Sequence, residues 1–432
     1  MYATPVDAYG RYEPITLKNI RQHPAYMRLP EDLRRELEVA AQVLPFRTNP
    51  YILDELIDWD RVPEDPIFQL VFPQREMLDP KAFARIEAAL ASGDRRALTE
   101  EVWRVRRAMN PHPAGQLTHN VPELNGRKLP GLQHKYAETV LFFPAGGQTC
   151  HAFCTYCFRW AQFVGDRELR FESSRVDDLV NYLRAHPEVT DVLITGGDPM
   201  VMKTSLLERY LKPLLEVETL RSLRIGSKSL AYWPLRFTSD ADADELLRLF
   251  ESVVDAGKQL AFMAHFSHPR ELETDTVQEA IKNLLSTGAV VRTQAPLIRH
   301  VNDDASIWAE KWRQEVSLGL IPYYMFVERD TGPKKYFEVP LARAHDIFAR
   351  AYRQVSGLAR TVRGPSMSAF PGKVRVVGSA TVAGEKVFVL EFLQARDPAW
   401  VGRPFFARYS ETATWLDDLV PAFGADRFFF MS

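Results

Sequence analysis

Residues 191–198 read DVLITGGD, and residues 205–216 read SLLERYLKPLLE. The first is a short apolar run that stops at two glycines and an aspartate. The second carries apolar residues at helical spacing. Together they read as a strand, a tight turn and a helix, one βα unit. The same rhythm recurs on both sides. TVLFFPA (139–145) is followed by the helix RVDDLVNYLRAH (175–186), and LRIGSKS (223–229) by DADELLRLFESVVDAG (242–257). QLAFMAHFSH (259–268) is followed by TDTVQEAIKNLLSTG (274–288), AVVRTQAPL (289–297) by DASIWAEKWRQEVSLG (304–319), and IPYYMFV (321–327) closes the series. Six such strands predict an α/β fold with a parallel sheet. Six are fewer than the eight of a closed barrel, so an open, partial (β/α)6 barrel is expected. In such a barrel the chemistry lies at the C-terminal ends of the strands. Those ends carry Gly196, Gly197 and Asp198, then Ser227 and Lys228, His265 and His268, Gln294, and Glu328, Arg329 and Asp330.

Outside the barrel, predicted over residues 126–335, two other regions are expected. Residues 1–125 read as helical, with LPEDLRRELEVAAQVL (29–44) and DPKAFARIEAALASGDRRALTEEVWRVRRAM (79–109) as the strongest signals. Residues 336–432 read as a small α+β segment. It holds a helix (341–355), the stretch RTVRGPSMSAFPGKVRVVG (360–378), two strands and an aromatic tail that is expected to pack or to form an oligomer contact.

The chain has only three cysteines, Cys150, Cys154 and Cys157, spaced C-x3-C-x2-C just beyond the first barrel strand. A structural zinc site wants four ligands, commonly in pairs. No second cysteine pair exists, although His151 or a distant histidine would complete a set; buried structural thiols are the other alternative. A [4Fe–4S] cluster held by three thiolates keeps one iron open to an external ligand, and this is the favoured reading. Net charge is -2, with 46% hydrophobic and 25% charged residues, which argues against nucleic acid or an anionic membrane as the main partner. No apolar run reaches 18 residues, and the opening MYATPVDAYGRYEP lacks a basic stretch followed by an apolar one. A cytoplasmic protein is expected, and an odd cysteine count in a reducing compartment favours a metal or a reactive thiol.

The cysteine spacing, with Tyr156 before the third cysteine, resembles the radical S-adenosylmethionine (SAM) superfamily. PGLQHKY (130–136), CFR (157–159), LITGGD (193–198), RIGSKS (224–229), AHFSHPRE (264–271), LIRHVND (297–303) and PYY (322–324) resemble lysine 2,3-aminomutase in that order. NPYILDELID (49–58) and EDPIF (64–68) extend the likeness, which runs from about residue 17 to about residue 373. The resemblance implies a radical SAM barrel with a [4Fe–4S] cluster on the three cysteines, SAM bound to the open iron, and pyridoxal phosphate (PLP). It implies that Gly196, Gly197 and Asp198 meet SAM, with the strand-end residues Ser227, His265 and Gln294 assigned to cofactor binding. Lys373 matches the PLP lysine, Lys135 and Tyr136 match a pair at the PLP phosphate, and Arg159 matches the clamp on the substrate carboxylate. The family holds the lysine ammonium with two aspartates, and the matching positions here are Arg329 and Arg363. An amino-acid 2,3-aminomutase, an isomerase, is therefore expected, acting on a small acidic amino acid such as glutamate rather than on lysine. An electron donor such as flavodoxin or ferredoxin and a homo-oligomeric state are implied as well. Three departures stand out. The cysteine-rich C-terminal zinc site is missing, Thr139 replaces a phosphate-binding arginine, and few glycines precede Lys373.

The alternatives are a radical SAM enzyme of the same family without PLP, and a non-catalytic iron–sulfur or zinc protein. Residue by residue, His265 and His268 have an alternative as core histidines bonded to backbone, Arg159 as a structural ion pair, and Lys373 as an ordinary turn lysine.

Overall fold

A computed structural model of the chain describes residues 9–112 and 117–431. The reading of the N-terminus for a targeting signal falls partly on residues 1–8, outside the described residues. A short hairpin, β1 (Glu123–Leu124) and β2 (Arg127–Lys128), precedes the main sheet. That sheet comprises β3 (Leu132–Tyr136), β4 (Thr139–Phe142), β5 (Asp191–Ile194), β6 (Ser222–Ser227), β7 (Gln259–His265), β8 (Val290–Leu297), β9 (Ile321–Val327), β10 (Arg363–Ser368), β11 (Gly372–Val382), β12 (Glu385–Ala395) and β13 (Pro404–Arg408). The strands lie side by side in that order.

The six expected strands, β4 to β9, are parallel neighbours. Helices Val176–Ala185, Thr204–Leu215, Ala243–Asp255, Asp275–Ser286 and Ala305–Ser317 cross between them. Alternation explains the layering. On β6, Leu223 and Ile225 are fully buried, whereas Arg224 and Gly226 alternate with them on the opposite face. Leu207, Leu211 and Leu214 of Thr204–Leu215 bury their side chains in the main core, as do Leu246, Phe250 and Val253 of Ala243–Asp255. Each such side chain contributes about 1.5–3 kcal/mol by leaving water. Thr274 and Asp304 cap the starts of Asp275–Ser286 and Ala305–Ser317 by accepting from backbone N–H groups.

The barrel sheet continues at both ends. β3 adds antiparallel to β4, and β10 adds parallel to β9. β11, β12 and β13 then follow as an antiparallel meander. The sheet curls until β12 touches β3. Seven parallel strands, β4 to β10, leave the barrel open, and the C-terminal ribbon fills the opening. The aromatic tail packs within the chain: the Phe405 ring lies 5.5 Å from Phe428 and 5.3 Å from Phe430. Among the described residues no helix is long and apolar enough to cross a membrane.

Candidate active site

β4 runs into the loop that carries Cys150, Cys154 and Cys157, all free and partly buried. This loop is held by residues about a hundred positions earlier. Phe153 N–H donates to the Arg47 carbonyl (2.9 Å) and Thr155 N–H to the Leu70 carbonyl (2.9 Å). The Thr155 hydroxyl donates to the Gln69 carbonyl (2.7 Å), and the Arg47 guanidinium to the Cys150 carbonyl (3.2 Å). The fully buried Asn49 side chain donates to the carbonyls of Tyr232 (2.9 Å) and His151 (3.3 Å). Burial pushes all three thiols above their usual range, Cys157 to about 12; Asp198, Cys157 and Cys154 further raise Cys150, and Cys154 further raises Cys157. Three thiolates gathered here need a cationic partner, and a [4Fe–4S] cluster suits that donor set. Among the described residues no group of three or more His, Cys, Asp or Glu is arranged to hold a single metal ion. A cubane gives each thiolate its own iron, so the thiols have to face one volume rather than one point.

Gly196 and Gly197 admit the cysteine loop itself. Gly196 has φ +143°, and a Cβ there would lie 2.2 Å from the Gln148 amide nitrogen. One on Gly197 would lie 2.4 Å from the Thr149 carbonyl oxygen. The Asp198 carboxylate is buried and accepts from Met200 N–H (2.9 Å), the Ser227 hydroxyl (2.8 Å) and Lys228 N–H (2.8 Å). Asp198 and Ser227 thus brace the end of β5 to the end of β6.

Behind the cysteines lies a buried polar network. The His265 Nε2 is 3.0 Å from the Tyr156 hydroxyl, which is 3.2 Å from the Ser267 hydroxyl. Lys228 donates to Glu271 (2.8 Å), Ser267 Oγ (3.2 Å) and the His265 carbonyl (3.3 Å). The Cys154 sulfur is 3.6 Å from the Tyr232 hydroxyl, and Lys228 lies over the Tyr232 ring at 4.5 Å. Burial, then the charges of Lys228 and Lys311, hold His265 well below its usual pKa and so neutral. His268 plays a capping part, accepting from Arg270 N–H (3.2 Å). Gln294 on β8 sits in register between His265 of β7 and Tyr324 of β9.

The remaining candidates surround a region rich in cations. Arg159 is buried, donates to Gln162 and Gln148, and stacks over Phe143 at 4.4 Å. Its Nε has no hydrogen-bond partner among the described residues. Among the described residues it forms no ion pair with a carboxylate, and the titratable groups that act on it are the Cys157 and Cys150 thiols. Lys373 sits opposite Ser368 of β10, with its Nζ 4.0 Å from the centre of the Tyr324 ring. Burial, then Arg224 and Arg363, push its pKa down to about 7. Burial, then Arg396, Arg329 and Lys373, do the same to Lys135, also to about 7. Arg329 lies over Phe158 at 5.4 Å and near Tyr136; Arg363 lies over Tyr323 at 5.1 Å, near Lys373. Arg329 is partly buried, whereas Arg363, at the start of β10, is exposed. An outer cleft between helices Thr204–Leu215 and Ala243–Asp255, lined by Lys203, Glu208, Asp242 and Arg248, holds none of the candidates.

Sequence reading missed Arg47, Asn49, Tyr232, Glu271 and Arg396. Glu271 closes the quoted stretch AHFSHPRE and Asn49 opens NPYILDELID, so both lay inside motifs without being singled out. The others act across long sequence separations and leave no local pattern.

No protein-family model matches the chain. It is 34% identical over 391 residues to an Aquifex aeolicus (strain VF5) protein provisionally named L-lysine 2,3-aminomutase, which covers 90% of this chain and 91% of that one. It is 27% identical over 244 residues to the L-lysine 2,3-aminomutase of Clostridium subterminale, 56% of each chain. The L-lysine 2,3-aminomutase of Escherichia coli (strain K12) is 29% identical over 245 residues, 55% of this chain and 67% of that one. Among solved structures, a radical SAM methyltransferase from Sphaerobacter thermophilus aligns with TM-score 0.39 and 15% identity, over 64% of this chain and 92% of that one. Streptococcus suis SuiB aligns with TM-score 0.38 and 14% identity, over 66% and 60%. A parallel sheet with three cysteines just past its first barrel strand is the arrangement that the resemblance to radical SAM enzymes implies. The chain belongs to the lysine 2,3-aminomutase family.

Proposed function

We propose that the protein is a radical SAM, PLP-dependent 2,3-aminomutase that moves the α-amino group of an acidic amino acid, glutamate or a close relative, to its β-carbon. The observation that carries this reading is Lys373. It is an amine brought to about 7 by burial and by Arg224 and Arg363, an environment that makes a lysine nucleophilic at neutral pH. When bound, the cluster with SAM supplies a hydrogen-abstracting deoxyadenosyl radical, and PLP supplies a conjugated ring that spreads an unpaired electron. Cys150, Cys154 and Cys157 hold the cluster. Gly196, Gly197 and Asp198 shape the turn beside the cysteine loop, where SAM would approach, with Ser227, His265 and Gln294 around it. Lys373 holds PLP, with Lys135 and Tyr136 toward its phosphate. Arg159, buried with an unpaired Nε, receives the substrate α-carboxylate as a charge-assisted pair.

Arg329 and Arg363 select the far end of the substrate. A substrate ammonium about 4 Å from either guanidinium would be repelled by about 4 kcal/mol in a partly screened site. A carboxylate there gains instead about 1.5–3 kcal/mol per charge-assisted hydrogen bond. A cytoplasmic, homo-oligomeric enzyme fed by a flavodoxin or ferredoxin belongs to the same reading. The test is anaerobic incubation of the reconstituted protein with SAM, reductant and single amino acids, with mass spectrometry of products. β-Glutamate or a similar product is expected, and Arg329→Asp with Arg363→Asp should shift turnover toward lysine. The reading fails if lysine is converted with kcat/KM at least as high as any acidic amino acid. Cleavage of SAM without PLP uptake would instead favour a radical SAM enzyme lacking PLP.

A further inference from the structure

Arg396 lies just past β12, in the C-terminal ribbon and far along the chain from the barrel. Its backbone N–H donates to the Pro371 carbonyl (3.0 Å) and its Nε to the Phe370 carbonyl (2.8 Å). Its Nη2 bonds Asn120 Oδ1, and the guanidinium stacks over Phe370 at 4.1 Å. It therefore grips the turn that leads from β10 into Lys373. The same turn receives Lys135 from β3, whose Nζ donates to the Ala369 carbonyl. This is the seam at which the curled sheet brings β12 against β3.

Two cations meet at this seam without an acid. Neither Lys135 nor Arg396 forms an ion pair among the described residues, and the charged groups acting on Lys135 are all cations: Arg396, Arg329 and Lys373. Beside them is Tyr136, whose ring centre lies 5.3 Å from Lys135 Nζ and which feels both Arg396 and Arg329. Its hydroxyl is buried beside Ser368 without a hydrogen bond of ordinary geometry. A buried hydroxyl without a hydrogen-bond partner, beside two cations with spare N–H donors, suits an anion. An ammonium has three donors and a guanidinium five, and the carbonyls of the turn use only some of them. The anion that satisfies such a set carries several acceptor oxygens and more than one charge. A phosphate monoester does both.

We propose that Arg396, together with Lys135 and Tyr136, seats the phosphate of the cofactor, so that the C-terminal ribbon supplies a cofactor-binding residue as well as closing the barrel. This rests on the PLP reading above. It accounts for the position of the seat, one turn of chain before Lys373. One small molecule would bridge the amine and the anion site. It also accounts for Thr139, which offers no cation: its hydroxyl is committed to Asp191 (3.0 Å).

The test uses full-length protein with its cluster reconstituted anaerobically. PLP and pyridoxal, which lacks the phosphate, are titrated separately and followed by absorbance. Wild type, Arg396→Ala, Arg396→Lys and Lys135→Met are compared. Arg396→Ala is expected to weaken PLP by roughly 10-fold to 100-fold, the loss of one charge-assisted pair, and to leave pyridoxal unchanged. Arg396→Lys should fall between. Inorganic phosphate should compete with PLP in wild type and less in Arg396→Ala. Equal weakening of PLP and pyridoxal would overturn the proposal, because Arg396 would then act by holding the turn. Unchanged PLP affinity in Arg396→Ala, with Lys373 still carrying the cofactor, would overturn it and leave the aminomutase reading standing. A wild type that takes up no PLP would remove both.

Discussion

Lys373 offers the sharpest quantitative test. An ordinary lysine, with a pKa of about 10.5, has about one amine in 3,000 free at pH 7. At about 7, half of the Lys373 amines are free, an enrichment of roughly a thousandfold. The sign for stability follows. Between pH 7 and 10.5 the unfolded chain holds this proton and the folded chain does not, so stability rises with pH across that window. Below pH 7 the buried ammonium costs its full amount. That is at most about 5 kcal/mol on the whole shift. The perturbation is therefore pH, with Lys373→Met as the control. Apoprotein is exposed to PLP between pH 5 and 10, reduced with borohydride, digested and mapped by mass spectrometry. Label on Lys373 should rise with a midpoint near pH 7, and Arg363→Gln should move that midpoint upward by removing a neighbouring cation. Lys373→Met should raise the melting temperature at pH 6 and lose that advantage by pH 10. Lys135 has an equally depressed pKa, so amine basicity alone does not choose between them, and the map does. A Lys373 midpoint above pH 9, or label mainly on Lys135, would refute the reasoning.

Three further outcomes are expected. Replacing Cys150, Cys154 or Cys157 by Ala should abolish reductive SAM cleavage and cut iron well below the four per chain of an intact cluster, read by iron assay and by release of 5′-deoxyadenosine. Glu271→Ala leaves the buried Lys228 ammonium unpaired and should cost about 3–5 kcal/mol in denaturant unfolding, while the paired replacement Lys228→Met with Glu271→Leu should recover most of it. Gly197→Ala forces a Cβ to 2.4 Å from the Thr149 carbonyl oxygen, and should cost about 1–3 kcal/mol and lower iron loading, because the backbone that must move belongs to the cysteine loop.

The barrel was legible because its signal is local. Each of β4 to β9 is a short apolar run followed by a helix with a clear apolar face, and the polar strand ends follow from that frame. β10 was hidden by its composition. Arg363–Ser368 begins with arginine, glycine and proline, which reads as a turn, and its pairing with β9 shifts register between Arg363 and Ser366. The pair Gly196–Gly197 was read as room for a ligand. Small residues mark a close approach without saying by what, and here the approaching atoms include Gln148 and Thr149. The contacts of Asn49 and Arg396 were invisible for a different reason: their partners Tyr232 and Asn120 lie 183 and 276 positions away. No periodicity or spacing rule reaches that far.

The bracing of the cysteine loop has a consequence for the order in which the protein matures. Arg47, Asn49, Gln69 and Leu70 leave the ribosome before the loop they hold. When Cys157 emerges, these N-terminal braces already exist, while Gly197, Tyr232 and His265 are still to come, and chains fold from the N-terminus as they are made. The other half of the site is assembled last. Lys373 needs β10 and β11, and the seam at Lys135 needs β12 to come round against β3. A truncated chain that ends before β10 would therefore keep the thiol loop and its braces and lack the lysine, which makes iron loading without PLP uptake the signature of an unfinished molecule.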